Sequence, residues 1–444
     1  MSANQNRRDF LKKTTAASVG IGLLGSHGYK AFSTPASDKL VVGIMGVNSR
    51  GSALATGFTK TPGIEVAYIC DVDDKALANG LKAVADAGQK KAPKAVKDFR
   101  QVLEDKGVDA LVIAAPDHWH APASLLALNA GKNVYVEKPG SHNPYEGEMV
   151  ASASIKYGKV VKMGNQRRSW PFVAEALGEL KNGIIGNVYL AKGWYANTRA
   201  SIGYGKTVPV PAGLDFDMWQ GPAPRMPYKD NLIHYNWHWF WHWGTGELLN
   251  NGTHFVDLCR LGLGVEFPTK VSSQGGRYAY KDDWQTPDTQ MTLWDFAGNK
   301  TISWEGRSCN GHRLEGASTG VSFHGENGTL VIDGNSYVVY DNQDKLVKKA
   351  SAENTGKPLD ATGPGFDLDA DHIADFYKSI KEGKTPVSDY KDSRKSVLLC
   401  HLGNISQRVG RSLNCNPDNG NVIGDDEAMA LWKRSYEPGW EPKV

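Results

Sequence analysis

Cysteine is scarce in this chain. There are five in 444 residues, at positions 70, 259, 309, 400 and 415, odd in number and without a Cys-x-x-Cys pair. That distribution excludes a disulfide framework and a cysteine-only metal site. Long hydrophobic runs are missing too. The weakly apolar stretch Thr14–Leu24 is too short, and too rich in Gly, Ser and Thr, to make a stable membrane span. No internal repeat, coiled-coil heptad or low-complexity tract is present. Charge of one sign is also lacking: the net charge is +3, residues 1–33 carry +4, and the remainder stands near −1. Nothing in that balance points to a nucleic-acid or membrane surface. The length, at 40% apolar composition, suffices for two or three domains.

What is present begins at the N-terminus. Asn6-Arg7-Arg8-Asp9-Phe10-Leu11-Lys12-Lys13, followed by the weak apolar run, resembles a bacterial twin-arginine export signal. The resemblance implies a signal over residues 1–33 with cleavage near Ala31–Ser33. It makes the export machinery a partner and places a mature chain without a membrane span in the periplasm.

Lys39–Met45 reads as a Val/Ile-rich strand running into Gly46-Val47-Asn48-Ser49-Arg50-Gly51 ahead of a helical stretch. The dinucleotide fingerprint is G-x-G-x-x-G, whose glycines permit a tight turn, close approach to pyrophosphate and close helix–strand packing. Asn48 takes the middle position, and asparagine is the non-glycine residue that best tolerates positive φ. A second strand, Ile64–Cys70, ends on Asp71, 20 residues after Gly51. There a carboxylate accepts hydrogen bonds from ribose hydroxyls, or merely caps the turn into Asp73–Ala83. It also repels a 2′-phosphate, so NAD is expected ahead of NADP. Arg50 could reach a phosphate and keeps NADP as the alternative. Strands at Asp109–Ala114 and Asn133–Val136, around a helix Ala121–Ala130, predict a doubly wound parallel sheet through about residue 165.

Two strand ends carry the polar residues. Ala114–His120 reads Ala-Ala-Pro-Asp-His-Trp-His, and Val134–Pro139 reads Val-Tyr-Val-Glu-Lys-Pro. Ligands sit at the carboxyl ends of strands in open parallel sheets. A lysine desolvated there has its pKa drawn toward working pH, which suits Lys138 to proton transfer.

On the glycine turn, Asp71, Pro116-Asp117-His118-Trp119-His120, Glu137-Lys138-Pro139 and Gly252-Thr253-His254, the chain resembles the Gfo/Idh/MocA oxidoreductases over most of its length after residue 38. The resemblance implies an α/β fold: a Rossmann domain, 38–165, and a C-terminal α/β domain, 166–444, with a large open, mostly antiparallel sheet. It implies hydride transfer between a sugar carbon and nicotinamide, with Lys138 binding the reacting hydroxyl. Cofactor contacts are expected from Gly46, Asn48, Arg50, Gly51, Asp71, Pro116, His118, His120, Glu137, Lys138 and Gln166. Subunit pairing through the open sheet, hence a homo-oligomer, is expected by analogy alone.

The second half supplies substrate candidates. Arg167 follows Gln166 at the crossover, and Arg168 reads equally as a donor or as linker. Ala200–Pro227 is a Gly/Pro-rich loop without helical period. Asn236–Trp243 reads Asn-Trp-His-Trp-Phe-Trp-His-Trp. Aromatic faces stack on sugar C–H faces, so Trp237, Trp239, Trp241 and Trp243 suggest a carbohydrate platform, though alternation also buries one face in a core. His234, His238 and His242 recur at four-residue spacing, but the alternation argues against a helix and no HExxH is present, so no metal is expected. Glu247–Leu261 reads as a helix with Asn250, His254 and Asp257 on one face and Gly252 inside it, a sign of close approach by a ligand or another backbone. The resemblance implies an aspartate where Asn250 stands, so the proton relay falls to His254 with Lys138, and Asp257 is a candidate to orient the imidazole. From Lys270 to Tyr340 short alternating strands predict a largely antiparallel sheet, and Asp369–Glu382 and Ser393–Val409 read as amphipathic helices.

These readings converge on an exported NAD(P)-dependent oxidoreductase acting on a sugar or glycoside hydroxyl. Outside the cytosol no free dinucleotide pool is at hand, so the cofactor is expected to stay tightly bound. The rivals are a redox-neutral, NAD-dependent glycoside-cleaving enzyme and a carbohydrate-binding protein without catalysis.

Overall fold

The computed structural model describes residues 39–334, 336–351 and 366–444; the leader expected over residues 1–33 lies outside them. Among the described residues two sheets organise the chain. The first has six parallel strands: β1 (Leu40–Met45), β2 (Ile64–Cys70), β3 (Lys94–Val96), β4 (Ala110–Ile113), β5 (Asn133–Val136) and β6 (Val161–Met163). Their order, β3-β2-β1-β4-β5-β6, is the doubly wound one, and the connections reverse direction between β1 and β4. β1, β4 and β5 are near-continuous apolar runs because helices cover both faces.

Two glycines fix the turn after β1. Gly46 has φ +81°, and a Cβ there would lie 2.6 Å from the Ala115 backbone nitrogen. A Cβ on Gly51 would lie 1.7 Å from the Gly46 carbonyl oxygen. The helix Arg50–Lys60 therefore packs onto the strand end only with glycine at both positions. Asn48 is exposed and does not adopt positive φ, so the left-handed turn expected at the middle position is not formed.

The second sheet has nine strands: β7 (Val188–Ala196), β8 (Lys270–Gly276), β9 (Thr289–Phe296), β10 (Lys300–Arg307), β11 (Thr319–Gly325), β12 (Gly328–Ile332), β13 (Ser336–Tyr340), β14 (Leu346–Ser351) and β15 (Leu413–Asn414). All its pairings are antiparallel except β7 with β10. β9 alternates buried and exposed residues, so one face is covered and the other open. The helix from Phe366 to Glu382 does not stay with this sheet. It returns Ile373 and Phe376 to the first sheet's core, where Phe376 packs edge-on against Phe58 and Tyr135.

Two local expectations fail. Asn236–Trp239, where the alternation argued against a helix, forms a short 3-10 helix followed by turns, and its indoles pack into separate pockets around the loop instead of burying one common face. Glu247–Leu261 is not one helix but two, Gly246–Asn250 and Gly252–Leu263, broken at Asn251. Gly252 lies against the side chains of Leu248 and Trp304, so its close approach is to the sheet and not to a ligand or another backbone.

Candidate active site

A cavity of about 440 Å³ opens at the carboxyl ends of β1, β2, β4 and β5. Its first wall is the glycine turn with Gly46, Asn48 and Arg50, together with Asp71 at the end of β2. Asp71 accepts the Val47 N–H at 2.7 Å and the Asp73 N–H at 3.0 Å, which ties the strand end to the turn. Gly51 sits just behind, buried by its packing on Gly46. These residues fit a dinucleotide: a helix N-terminus at a glycine turn, an acid across from it, and a cleft running on to Lys138.

Arg50 is already committed. Its guanidinium donates to both Asp369 oxygens, at 2.6 and 2.7 Å, and to Glu137 Oε1 at 2.9 Å. The guanidinium expected to reach a phosphate is thus turned onto two carboxylates. Arg50 instead locks Glu137 and the helix carrying Asp369 against the glycine turn. No sequence signal marks Asp369, which stands 319 residues away from its partner.

The helix Asp117–Asn129 begins four residues earlier than its apolar run suggests, so Asp117–His120 form its first turn behind Pro116. Pro116, Asp117, Trp119 and His120 line the cavity. His118 does not: its Nε2 meets the Trp219 carbonyl at 2.9 Å, an oxygen that also accepts from Trp119 Nε1. That pair of bonds clamps the short helix Phe216–Gln220 over the cleft, and Met218 and Trp219 join the wall. His118 is thus a fastening residue, not a cofactor contact. His120 is buried, with Nε2 on the Ala115 carbonyl at 2.8 Å, and burial pushes its pKa down to about 3.

At the far end β5 delivers Glu137 and Lys138. Glu137 accepts Gln166 Nε2 at 2.9 Å, and Gln166 also donates to the Tyr135 hydroxyl at 3.1 Å. Lys138 Nζ donates to the Asn250 carbonyl at 2.8 Å and to Asn250 Oδ1 at 2.9 Å. Burial lowers the Lys138 pKa from its ordinary value, against the pull of Glu137, Asp117 and Glu247. His254 stands one helical turn beyond Asn250 in the same wall, with Nδ1 buried and unpartnered. Desolvation, then the charges of Lys138 and Arg167, hold it neutral. Asp257 does not orient it. That carboxylate is occupied by Arg168, at 2.5 and 2.7 Å, and by Ser396. Arg168 is accordingly a buried structural cation, while Arg167 lines the cavity over the Phe255 and Trp170 rings, 4.7 and 4.8 Å from their centroids.

Of the four expected platform tryptophans only Trp237 reaches the cavity, with His238 stacked on it at 3.6 Å. Trp239 is buried on Trp284, Trp243 is buried against Trp219, and Trp241 packs on Arg408. The aromatic wall comes instead from Trp119, Trp170, Trp219, Tyr235 and Trp237. Among the described residues no group of three or more His, Cys, Asp or Glu could hold a metal ion.

Asp117 is the acid the sequence reading passed over. It is 4% exposed, accepts the Thr245 hydroxyl, and burial raises its pKa to about 6. Since its folded pKa lies above the unfolded one, the native state holds the extra proton between about pH 4 and 6, and stability falls as pH rises through that window. Asp117→Asn keeps an acceptor for Thr245 and removes the desolvated charge. A two-unit shift is worth about 3 kcal/mol. The variant is therefore expected to be more stable than wild type by up to about 3 kcal/mol above pH 6, the gain vanishing near pH 4. Paired denaturant titrations across pH check it, and a difference flat with pH would refute it.

Comparison with known proteins agrees with this geometry. Residues 16–165 match the model for the NAD-binding Rossmann fold of the Gfo/Idh/MocA oxidoreductase family, and residues 194–285 match its C-terminal alpha/beta domain. The chain is 29% identical over 221 residues to a glycosyl hydrolase family 109 protein of Saccharopolyspora erythraea, covering 46% of this chain and 48% of that one. It is 28% identical over 163 residues to the inositol 2-dehydrogenase of Rubrobacter xylanophilus, covering 36% and 45%. It thus spans about half the length of these curated relatives. Levoglucosan dehydrogenase in complex with NADH and levoglucosan superposes with a TM-score of 0.65 at 20% identity, over 85% of this chain and 99% of that one. An oxidoreductase from Agrobacterium radiobacter, solved with NAD+, L-tartaric acid and magnesium, gives 0.64 at 14% identity over 85% and 98%. At those identities the likeness shows the fold alone. Matched in both halves, and closed at β1 and β2 by a glycine turn and an acid suited to dinucleotide binding, the chain belongs to the Gfo/Idh/MocA oxidoreductases with an NAD-binding Rossmann half.

Proposed function

We propose that this protein reversibly oxidises a hydroxyl of a sugar or glycoside to a ketone, using a nicotinamide dinucleotide that stays bound through turnover. The observation that carries the reading is Lys138 Nζ, fixed at 2.8 and 2.9 Å on Asn250 in the cavity that begins at the glycine turn, with neutral His254 in the same wall. When bound, the nicotinamide supplies the hydride acceptor. Lys138, its pKa lowered by burial, takes the hydroxyl proton as the C–H hydride leaves, so the alcohol gives up one proton and one hydride. His254 offers a neutral ring nitrogen to a neighbouring hydroxyl, and Trp237 with His238 offers a flat face to the sugar's C–H groups.

The test is the absorbance and fluorescence of the purified protein before and after a panel of glycosides. Co-purified nicotinamide that becomes reduced on one of them supports the reading. No nicotinamide, and none taken up from NAD or NADP, sinks it and favours a binding protein.

A second reading is redox-neutral glycoside cleavage, in which oxidation at one carbon acidifies its neighbour and the aglycone is eliminated. Asp117 favours it, because a buried acid with a pKa about 6 beside the cleft is suited to protonate a leaving oxygen. Release of nitrophenol from a nitrophenyl glycoside without added cofactor would promote it over net oxidation. We further infer export, from the twin arginines Arg7 and Arg8. Replacing both with lysine is expected to leave the protein in the cytoplasm, and unchanged periplasmic yield would overturn that.

A further inference from the structure

The lysine's partner is an amide, and an amide has two faces. Asn250 presents Oδ1 to Lys138 Nζ; turned over, it would present Nδ2, a donor, to another donor. The choice between faces is made one turn earlier. Asn250 Nδ2 donates to Glu247 Oε1 at 3.2 Å, and that carboxylate is 5% exposed. Oε1 also accepts Asn251 Nδ2, while Oε2 accepts Arg199 Nε at 2.9 Å and Ser308 Oγ at 3.0 Å. A carboxylate only accepts, so it admits only the Asn250 orientation that turns Oδ1 to the lysine. Asn250 carries no charge of its own; Glu247 does, at one remove.

We propose that Glu247 is the positioning residue for Lys138: through the Asn250 amide it fixes the acceptor for Nζ, and it supplies from behind the negative charge that Asn250 lacks. The inference rests on the proton-transfer role given to Lys138 above. Arg199 belongs to the same device. It holds Glu247 in place and partly offsets its charge, and it donates to the Tyr235 hydroxyl at 2.7 Å and the Tyr195 hydroxyl at 3.0 Å. The other groups facing the lysine are Glu137 beside it, Asp117 on the helix that follows β4, Arg50, and the neutral rings of His120, His238 and His254. Glu247 differs from the two acids by touching the lysine's own ligand.

The test is the ionisation of Lys138 in Glu247→Gln, in the full-length protein as purified. Reductive methylation with formaldehyde, quantified at Lys138 by peptide mass spectrometry over a pH series, reports the amine without needing turnover. Removing the charge is expected to lower the inflection by roughly half to one pH unit, because the ammonium loses part of the negative potential that stabilises it. The acid limb of kcat/KM, where turnover is measurable, should move the same way. Inflections unchanged from wild type in both readouts overturn the proposal. Adding Asn250→Asp to Glu247→Gln puts a carboxylate on Nζ directly and is expected to return the inflection to the wild-type value or above it. If Glu247→Gln does not fold, the Glu247→Gln/Arg199→Gln pair removes both buried charges. Its inflection must then lie below that of Arg199→Gln alone, and equality between the two overturns the proposal. A shifted inflection in a protein without glycoside turnover would uphold the lysine device and count against the oxidoreductase reading.

Discussion

Lys138→Met is expected to lower kcat by roughly 10²–10⁴-fold, the usual worth of a positioned proton acceptor, while NADH binding and the melting temperature stay close to wild type. Methionine follows the stem of lysine and prefers the apolar surroundings that lower the amine's pKa. What it cannot do is take a proton or donate to Asn250. Both Asn250 oxygens then lose a donor, at about 1–3 kcal/mol if they stay dry, and water entering from the open cavity reduces that cost. The dinucleotide end of the cleft lies at β1 and β2, on other strands, so NADH fluorescence should titrate unchanged. Steady-state rates, NADH titration and a thermal melt on one preparation separate these effects. Turnover within tenfold of wild type, from a protein that still binds NADH, would remove Lys138 from the chemistry.

The residues of this device were unequally visible in the sequence. Lys138 was legible because a short apolar strand ending on Glu-Lys-Pro places it at a sheet's carboxyl edge, a position that period and order already determine. The glycine turn and Asp71 were legible for the same reason, whereas Gln166 came from the family resemblance alone. His254 and Asn250 were found from helical spacing even though the helix is broken between them, since i and i+4 stay on one side through the kink at Asn251. Strand period alone placed β8 to β13 in the stretch Lys270–Tyr340, because one face of that sheet is covered and the other open.

What sequence could not give was contact across long separations. Asp369 meets Arg50, and Trp219 meets His118, through elements with no local signature: a helix that returns to the other sheet, and a five-residue helix inside a Gly/Pro-rich loop. The tryptophan run misled for a related reason. Alternation of large aromatics scores as a strand, yet here each ring fills a different pocket of a turn-rich loop, and only Trp237 remains at the cavity. Composition pointed to an aromatic wall, and apart from Trp237 its indoles are Trp119, Trp170 and Trp219, from other parts of the chain.

Arg168→Met is expected to cost about 3–5 kcal/mol of stability, because it strands a buried carboxylate. Arg168 sits in the 3-10 turn Gln166–Ser169, in which Gln166 and Arg167 face the cavity. Its guanidinium instead points away, binding Asp257 through two nitrogens and Asp392 through the third at 2.8 Å. Asp392 keeps Arg260 when Arg168 is lost, but Asp257, 1% exposed, keeps only the Ser396 hydroxyl. An unpaired charge so placed is the costly case, whereas removing both partners together is far milder. The Arg168→Met/Asp257→Leu pair should therefore recover most of the lost stability, a coupling that denaturant titration of both variants and the Asp257→Leu single would measure. Since neither side chain reaches the cavity, kcat at 25 °C should stay within a few fold of wild type in whatever fraction is folded. A large kcat loss in the stable double variant would instead mean that this turn sets the reach of Gln166 and Arg167 into the site.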